Sequence, residues 1–203
     1  MPNRPEIHIV DDDEAARESL SFLLGAAGHA VKTFDSAGAF LEALAGIAVS
    51  CVVTDIRMPG VDGLELMRRL TAGGHRFPVI MITGHGDVPL AVEAMKLGAF
   101  DFLEKPFDDD SMIAAINAAL HRVETDIESQ RESSENAERL HGLSPRERQV
   151  LDGLVAGRPN KAIGRDLGIS PRTVEIYRAK VMEKMKASSL SELVRLAVRV
   201  GIA

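Results

Sequence analysis

Residues 51–63 read CVVTDIRMPGVDG, and the fold turns on this stretch. Positions 51–54 form an unbroken run of β-favouring residues, Asp55 follows directly, and a helical pattern begins at about 62 and continues to 72. A strand apolar on both faces belongs in a parallel sheet covered by helices on each side. Outward from it, similar runs recur at 7–10, 31–34, 79–83 and 100–103, with helical patterns at about 14–27, 36–45, 88–97 and from 109 onward. Gly28, Gly46, Gly73 and Gly98 stand near the helix ends as stop signals. Five strand–helix units predict an α/β domain with a five-stranded, doubly wound parallel sheet, and ligands of such sheets sit beyond the carboxyl ends of the strands.

That rim is where the chemistry collects. The first strand runs into Asp11-Asp12-Asp13 and the third into Asp55, so carboxylates converge where a hard divalent cation such as Mg²⁺ would neutralise them. The fourth strand ends in Thr83, and Lys105-Pro106 follows the fifth. A single acid after a strand is ordinarily a helix cap or turn residue. Acids, a hydroxyl and an ammonium on the matching strand ends instead make a phosphoryl site with a carboxylate nucleophile.

At 203 residues the chain has room for one large domain or two small ones. With 45% hydrophobic and 27% charged residues it has the composition of a globular protein. Its longest apolar runs fall far short of the roughly 20 residues that span a bilayer, and its start lacks a signal core, so it reads as soluble and cytoplasmic, without a membrane partner. The lone Cys51 has no partner for a disulfide and reads as a small buried hydrophobe. His8, His29, His75, His121 and His141 show no metal-ligand spacing, and none sits as a kinase phosphoacceptor would. The chain therefore receives phosphate and does not originate it.

The net charge of -6 conceals a division. Residues 1–124 hold 10 basic and 19 acidic side chains, 125–138 hold 1 and 5, and 139–203 hold 13 and 6. An acidic module joined to a basic one suggests that the basic part meets a polyanion. Between them, 122–142 carries few large apolar residues and reads as a linker, its helix extending the one before it. The expected division is 1–122, a helical linker at 123–140, and a second domain at 141–203.

Four amphipathic helices are expected in that second domain, at about 144–156, 160–167, 171–186 and 190–200. Ser144-Pro145 and Ser170-Pro171 serve as cap and first-turn signals. A helix at 160–167, a turn at 168–170 and a longer helix from 171 have helix-turn-helix spacing. On the longer helix Val174, Tyr177, Val181 and Met185 face the core, while Arg172, Ile176, Lys180 and Lys184 recur at i+4 with Thr173 beside them. Those bases, with Arg178, either solvate a helix face or read a major groove, and the turn spacing and local charge favour the groove.

IVDDD at 9–13, VVTDIRMPGVDG at 52–63, VIMITGHGDV at 79–88 and FDFLEKPF at 100–107 resemble the signature segments of a response-regulator receiver domain, of flavodoxin-like or CheY-like fold. LSPRERQVL, NKAIGRDLGIS and RTVEIYRAKVMEKM, at 143–151, 160–170 and 172–185, resemble the all-α, four-helix LuxR-type helix-turn-helix domain. The resemblance implies a two-component transcription regulator. It makes Asp55 the phosphoacceptor, with Asp11, Asp12, Asp55 and the Arg57 backbone carbonyl holding Mg²⁺. Thr83 bonds the phosphoryl oxygen, Lys105 pairs with it, and Phe102 is an aromatic switch. Lys105-Pro106 matches a cis peptide, and Arg57 and His85 flank the phosphate and tune its removal by water. Asn160 and Lys161 begin the scaffold helix, and 171–186 is the recognition helix. The implied partners are a histidine kinase, promoter DNA, a second copy after phosphorylation, and RNA polymerase. An aspartate-based phosphohydrolase would carry an acid two residues after its nucleophile, where this chain has Arg57.

Overall fold

The computed structural model describes residues 6–84, 88–199 and 201–202. The chain divides into two compact units, Met1–Asp126 and Ile127–Ala203.

In the first unit β1 (Ile7–Val10), β2 (Val31–Phe34), β3 (Val52–Asp55), β4 (Val79–Thr83) and β5 (Asp101–Glu104) pair in parallel, in the order β2-β1-β3-β4-β5. Helices α1 (Glu14–Ala26), α2 (Ala37–Ala43), α3 (Gly63–Ala72) and α4 (Val88–Lys96) link them, and α5 (Asp109–His141) follows β5. The sheet is the doubly wound one expected from the apolar runs. Period-two alternation feeds two separate cores. Ile7, Ile9, Cys51, Val53, Ile80 and Ile82 pack with Leu20 and Leu24 of α1 and Met112 and Ile116 of α5. Val10, Val52, Val79 and Met81 point the other way, to Phe40 of α2 and to Leu66, Met67 and Leu70 of α3. Both faces of the central strands are thus filled, which is why their sequence shows no polar side. Cys51 is fully buried in the first core, where burial pushes its thiol pKa up.

Two strands sit one residue later than their apolar runs predict. Asp55 still pairs with Ile82 and Glu104 with Thr83, so the ladder continues through polar residues that the hydrophobic pattern excludes. The helix expected at 36–45 closes at Ala43 and tightens into a 3-10 turn at Leu44–Gly46.

Through 123–140 the chain is helical, since α5 continues to His141. Its outer half buries little, and its surface carries ion pairs one turn apart. Arg122–Asp126, Arg131–Glu135 and Arg139–Glu135 lie 3.0, 3.2 and 3.0 Å apart.

In the second unit α6 (Pro145–Val155), α7 (Asn160–Leu167), α8 (Pro171–Lys184) and α9 (Leu190–Arg199) surround Val150, Leu151, Ile163, Val174, Val181, Met185 and Leu193. Ser144 and Glu147 form a reciprocal capping box at the start of α6, and the Ser170 side chain caps α8. Gly168 ends α7 at φ 68°, a left-handed conformation open to glycine at little cost, and the chain reverses there into α8. The helix expected over 171–186 ends at Lys184, since Lys186 takes φ 53° and cannot continue it. No helix among the described residues is long and apolar enough to cross a membrane.

Candidate functional site

The carboxyl edge of the sheet brings two of the predicted acids, Asp11 and Asp55, to one cation. Asp11, at the end of β1, is 2% exposed, and Asp55, at the end of β3, is 9% exposed. The Lys105 ammonium donates to Asp55 Oδ1 at 2.9 Å and to Asp11 Oδ2 at 3.3 Å. The Lys105-Pro106 peptide is cis, as the resemblance implies, and the Lys105 N–H donates to the Thr83 carbonyl at 2.7 Å.

The electrostatics follow from burial. Burial raises the Asp11 pKa, opposed by the Asp13 N–H and by Lys105. For Lys105 burial favours the neutral amine, but the hydrogen bond to Asp55 and the charges of Asp55 and Asp11 prevail, and its pKa is raised. Lys105 is therefore a fixed cation between two acids.

Backbone geometry holds the acids in place. The Arg57 N–H donates to Asp55 Oδ2 at 2.7 Å, folding the loop after β3 back over the carboxylate. Gly63 closes that loop: a Cβ there would stand 2.4 Å from the Asp55 carbonyl, so a side chain would push the loop off β3. Asp11 Oδ1 accepts from the Asp13 N–H, and Asp13 in turn caps α1 by accepting from Ala15 N. Asp12 lies between them, exposed. Thr83 ends β4, 1% exposed.

These oxygens are hard donors. Among the described residues no three acids, histidines or cysteines are gathered tightly enough to cage a metal alone. Mg²⁺ takes hard oxygen donors of this kind and completes its shell with several waters. Asp11, Asp12, Asp55 and the Arg57 carbonyl fit such an ion by chemistry.

Other expected site residues are less closely joined. Phe102 pairs in register with Met81 and is half-buried beside Ala91, Val92 and Met95 in a shallow depression between α4 and β5. Val92 and Met95 are 48% and 50% exposed. Arg57 is exposed. His85 lies outside the described residues.

In the second unit α7, the 168–170 turn and α8 form the helix-turn-helix. Asn160 and Lys161 open α7, and Arg172, Ile176 and Lys180 project from α8, with Ile176 53% exposed. Thr173 sits beside Ser170, their hydroxyls 2.8 Å apart, and Arg178 is half-buried. Lys184 departs from the expected stripe. Its ammonium donates to Glu147 at 2.7 Å and to the Gly142 carbonyl at 3.3 Å, so it joins the end of α8 to the start of α6. Glu147, 4% exposed and 37 positions away, was not legible in the sequence as its partner.

Arg17 was also missed. Its guanidinium donates to the Asp11 carbonyl at 2.7 Å. The only signal in the sequence is a cation six positions after the acid.

Comparison with known proteins agrees with this arrangement. Residues 7–117 match the response regulator receiver domain, and 141–197 match the bacterial regulatory proteins of the luxR family. The chain is 56% identical over 202 residues to the transcriptional regulatory protein FixJ of Bradyrhizobium diazoefficiens, covering 100% of this chain and 98% of the relative. It is 58% identical over 203 residues to FixJ of Azorhizobium caulinodans, covering 100% and 96%. Full-length FixJ from B. japonicum, a crystal structure, is similar with a TM-score of 0.63 at 56% identity, over 99% of each chain.

Proposed function

The chain belongs to the two-component response regulators that join a receiver domain to a LuxR-type DNA-binding domain, and from that premise we propose that Asp55 is the phosphoacceptor of a FixJ-like transcription switch. The observation that carries this reading is the buried Asp55 carboxylate held between Lys105 and the Arg57 N–H at the open edge of the sheet.

A partner histidine kinase supplies the phosphoryl group. An Asp55 oxygen attacks phosphorus, the new P–O bond forms as the P–N bond breaks, and the imidazole leaves with the electron pair and takes up a proton. Asp11, Asp12, Asp55 and the Arg57 carbonyl would hold Mg²⁺, which when bound would offset charge on the transferring oxygens. Lys105 stays with the acylphosphate as its counter-charge, and the Thr83 hydroxyl donates to a phosphoryl oxygen. Drawing Thr83 in lets Phe102 turn inward and reshapes the α4–β5 surface. Arg57 and His85 set how fast water removes the phosphate.

The exposed apolar side chains of Val92 and Met95 support the α4–β5 surface as the dimerising one. Dimerisation releases 141–203 from the receiver at 1–122, through the 123–140 helix, to bind promoter DNA and engage RNA polymerase in the cytoplasm. Asn160, Lys161, Arg172, Thr173, Ile176, Arg178 and Lys180 form the DNA face, with recognition helices paired on a two-fold site.

Sedimentation velocity of the wild type and Asp55→Asn, with Mg²⁺ and with or without beryllofluoride, tests this reading. The expected result is a shift from monomer to dimer in the wild type alone. A shift in both removes Asp55 from the switch, and a shift in neither removes dimerisation as the output.

A further inference from the structure

The Asp11-Asp12-Asp13 turn must present two acids to one cation, yet its peptide groups lie past the end of the ladder. The Asp11 N–H is still held by the Phe34 carbonyl at 3.2 Å, and its carboxylate is fixed by Asp13 N and Lys105. Its carbonyl oxygen has left the sheet and accepts the Arg17 guanidinium at 2.7 Å. Arg17 stands on α1, whose own start is fixed by the Asp13 cap. The turn and the helix therefore form one closed unit: Asp13 holds α1, and α1 returns Arg17 to hold the peptide that leads into Asp12.

We propose that Arg17 is a positioning residue for the cation site, locking the Asp11–Asp12 peptide so that the Asp12 carboxylate is aimed at the metal. The proposal rests on the Mg²⁺ site assigned above. Its signature is a sign. A guanidinium near a dication repels it, so on charge alone removing Arg17 would tighten Mg²⁺ binding. Groups that orient metal ligands act the other way, and their loss weakens binding by about 10- to 100-fold.

Calorimetric titration of the unphosphorylated full-length protein with MgCl₂, together with its melting temperature in EDTA, decides the matter. Arg17→Met keeps the apolar stem and removes donor and charge, and its Mg²⁺ affinity is expected to fall roughly tenfold. Arg17→Lys keeps the charge but loses the planar fork, and is expected to fall between wild type and Arg17→Met, with melting near wild type. Should Arg17→Met fail to fold, the weakened Arg17→Lys carries the test. Affinity equal to or tighter than wild type in the folded variants overturns the proposal while leaving the site intact. Absence of Mg²⁺ binding in the wild type overturns the site and the proposal together.

Discussion

At the scale of single residues, the first unit keeps one titratable group apart from its chemistry. His8 is 2% exposed inside β1, its ring 6.1, 5.8 and 6.5 Å from those of Phe34, Phe40 and Phe77, and its Nδ1 lacks a partner. Burial lowers its pKa below the ordinary value of 6.5, with Glu6 opposing and Lys32 assisting. The fold therefore holds the neutral imidazole, while the unfolded chain takes a proton as pH falls through 6.5. Stability is full above that value and declines as pH drops toward the folded-state pKa, by about 1.4 kcal/mol for each unit of depression. His8→Leu is expected to flatten this part of the profile, read as urea midpoints between pH 7.5 and 5.5. A slope identical to wild type would mean that His8 titrates alike in both states. A histidine in an apolar run is easily seen in the sequence, but the ring cage that makes it sensitive is assembled from β2, α2 and the chain entering β4, and no local pattern contains it.

At the scale of elements, legibility followed burial. The five strands were readable because both faces are filled, and their ends were misplaced by one where Asp55 and Glu104 continue the pairing. The outer half of α5 was hard to read because no apolar stripe marks it, and its helicity rests on charged pairs spaced by four. The acid site was legible since strand ends of a parallel sheet share a rim, whereas Arg17 and Glu147 act through a backbone carbonyl and a distant lysine. Caps were the clearest signal in the second unit. The Ser170 hydroxyl accepts from the Thr173 N–H at 3.0 Å, and without it this first-turn donor loses its acceptor. Ser170→Ala is expected to destabilise the helical unit by about 1 kcal/mol. Tyr177, the single tyrosine of a chain without tryptophan, packs in that unit's core, so its emission follows this transition alone. An unchanged midpoint would show that the recognition helix is held by packing without its cap.

At the scale of the whole molecule, the division of charge sets how DNA binding can be controlled. The receiver-side residues 1–124 carry an excess of nine acids and residues 139–203 an excess of seven bases, so the same chain both attracts and repels a polyanion. Contacts to phosphates release counterions, and each adds close to 0.9 to the slope of log affinity against log salt. Lys180 and Lys184, both exposed on α8, then differ in a measurable way. Lys180→Ala, in the full-length protein activated with beryllofluoride, is expected to lessen the slope by about one on a labelled duplex of arbitrary sequence. Lys184→Ala should leave the slope unchanged, because its ammonium is engaged by Glu147 and Gly142 within the domain, and should instead lower the unfolding midpoint seen by Tyr177. Anisotropy titrations across a range of salt separate the cases. If Lys184→Ala lowers the slope as much as Lys180→Ala, the internal bridge opens on DNA and the basic stripe runs the full length of the helix.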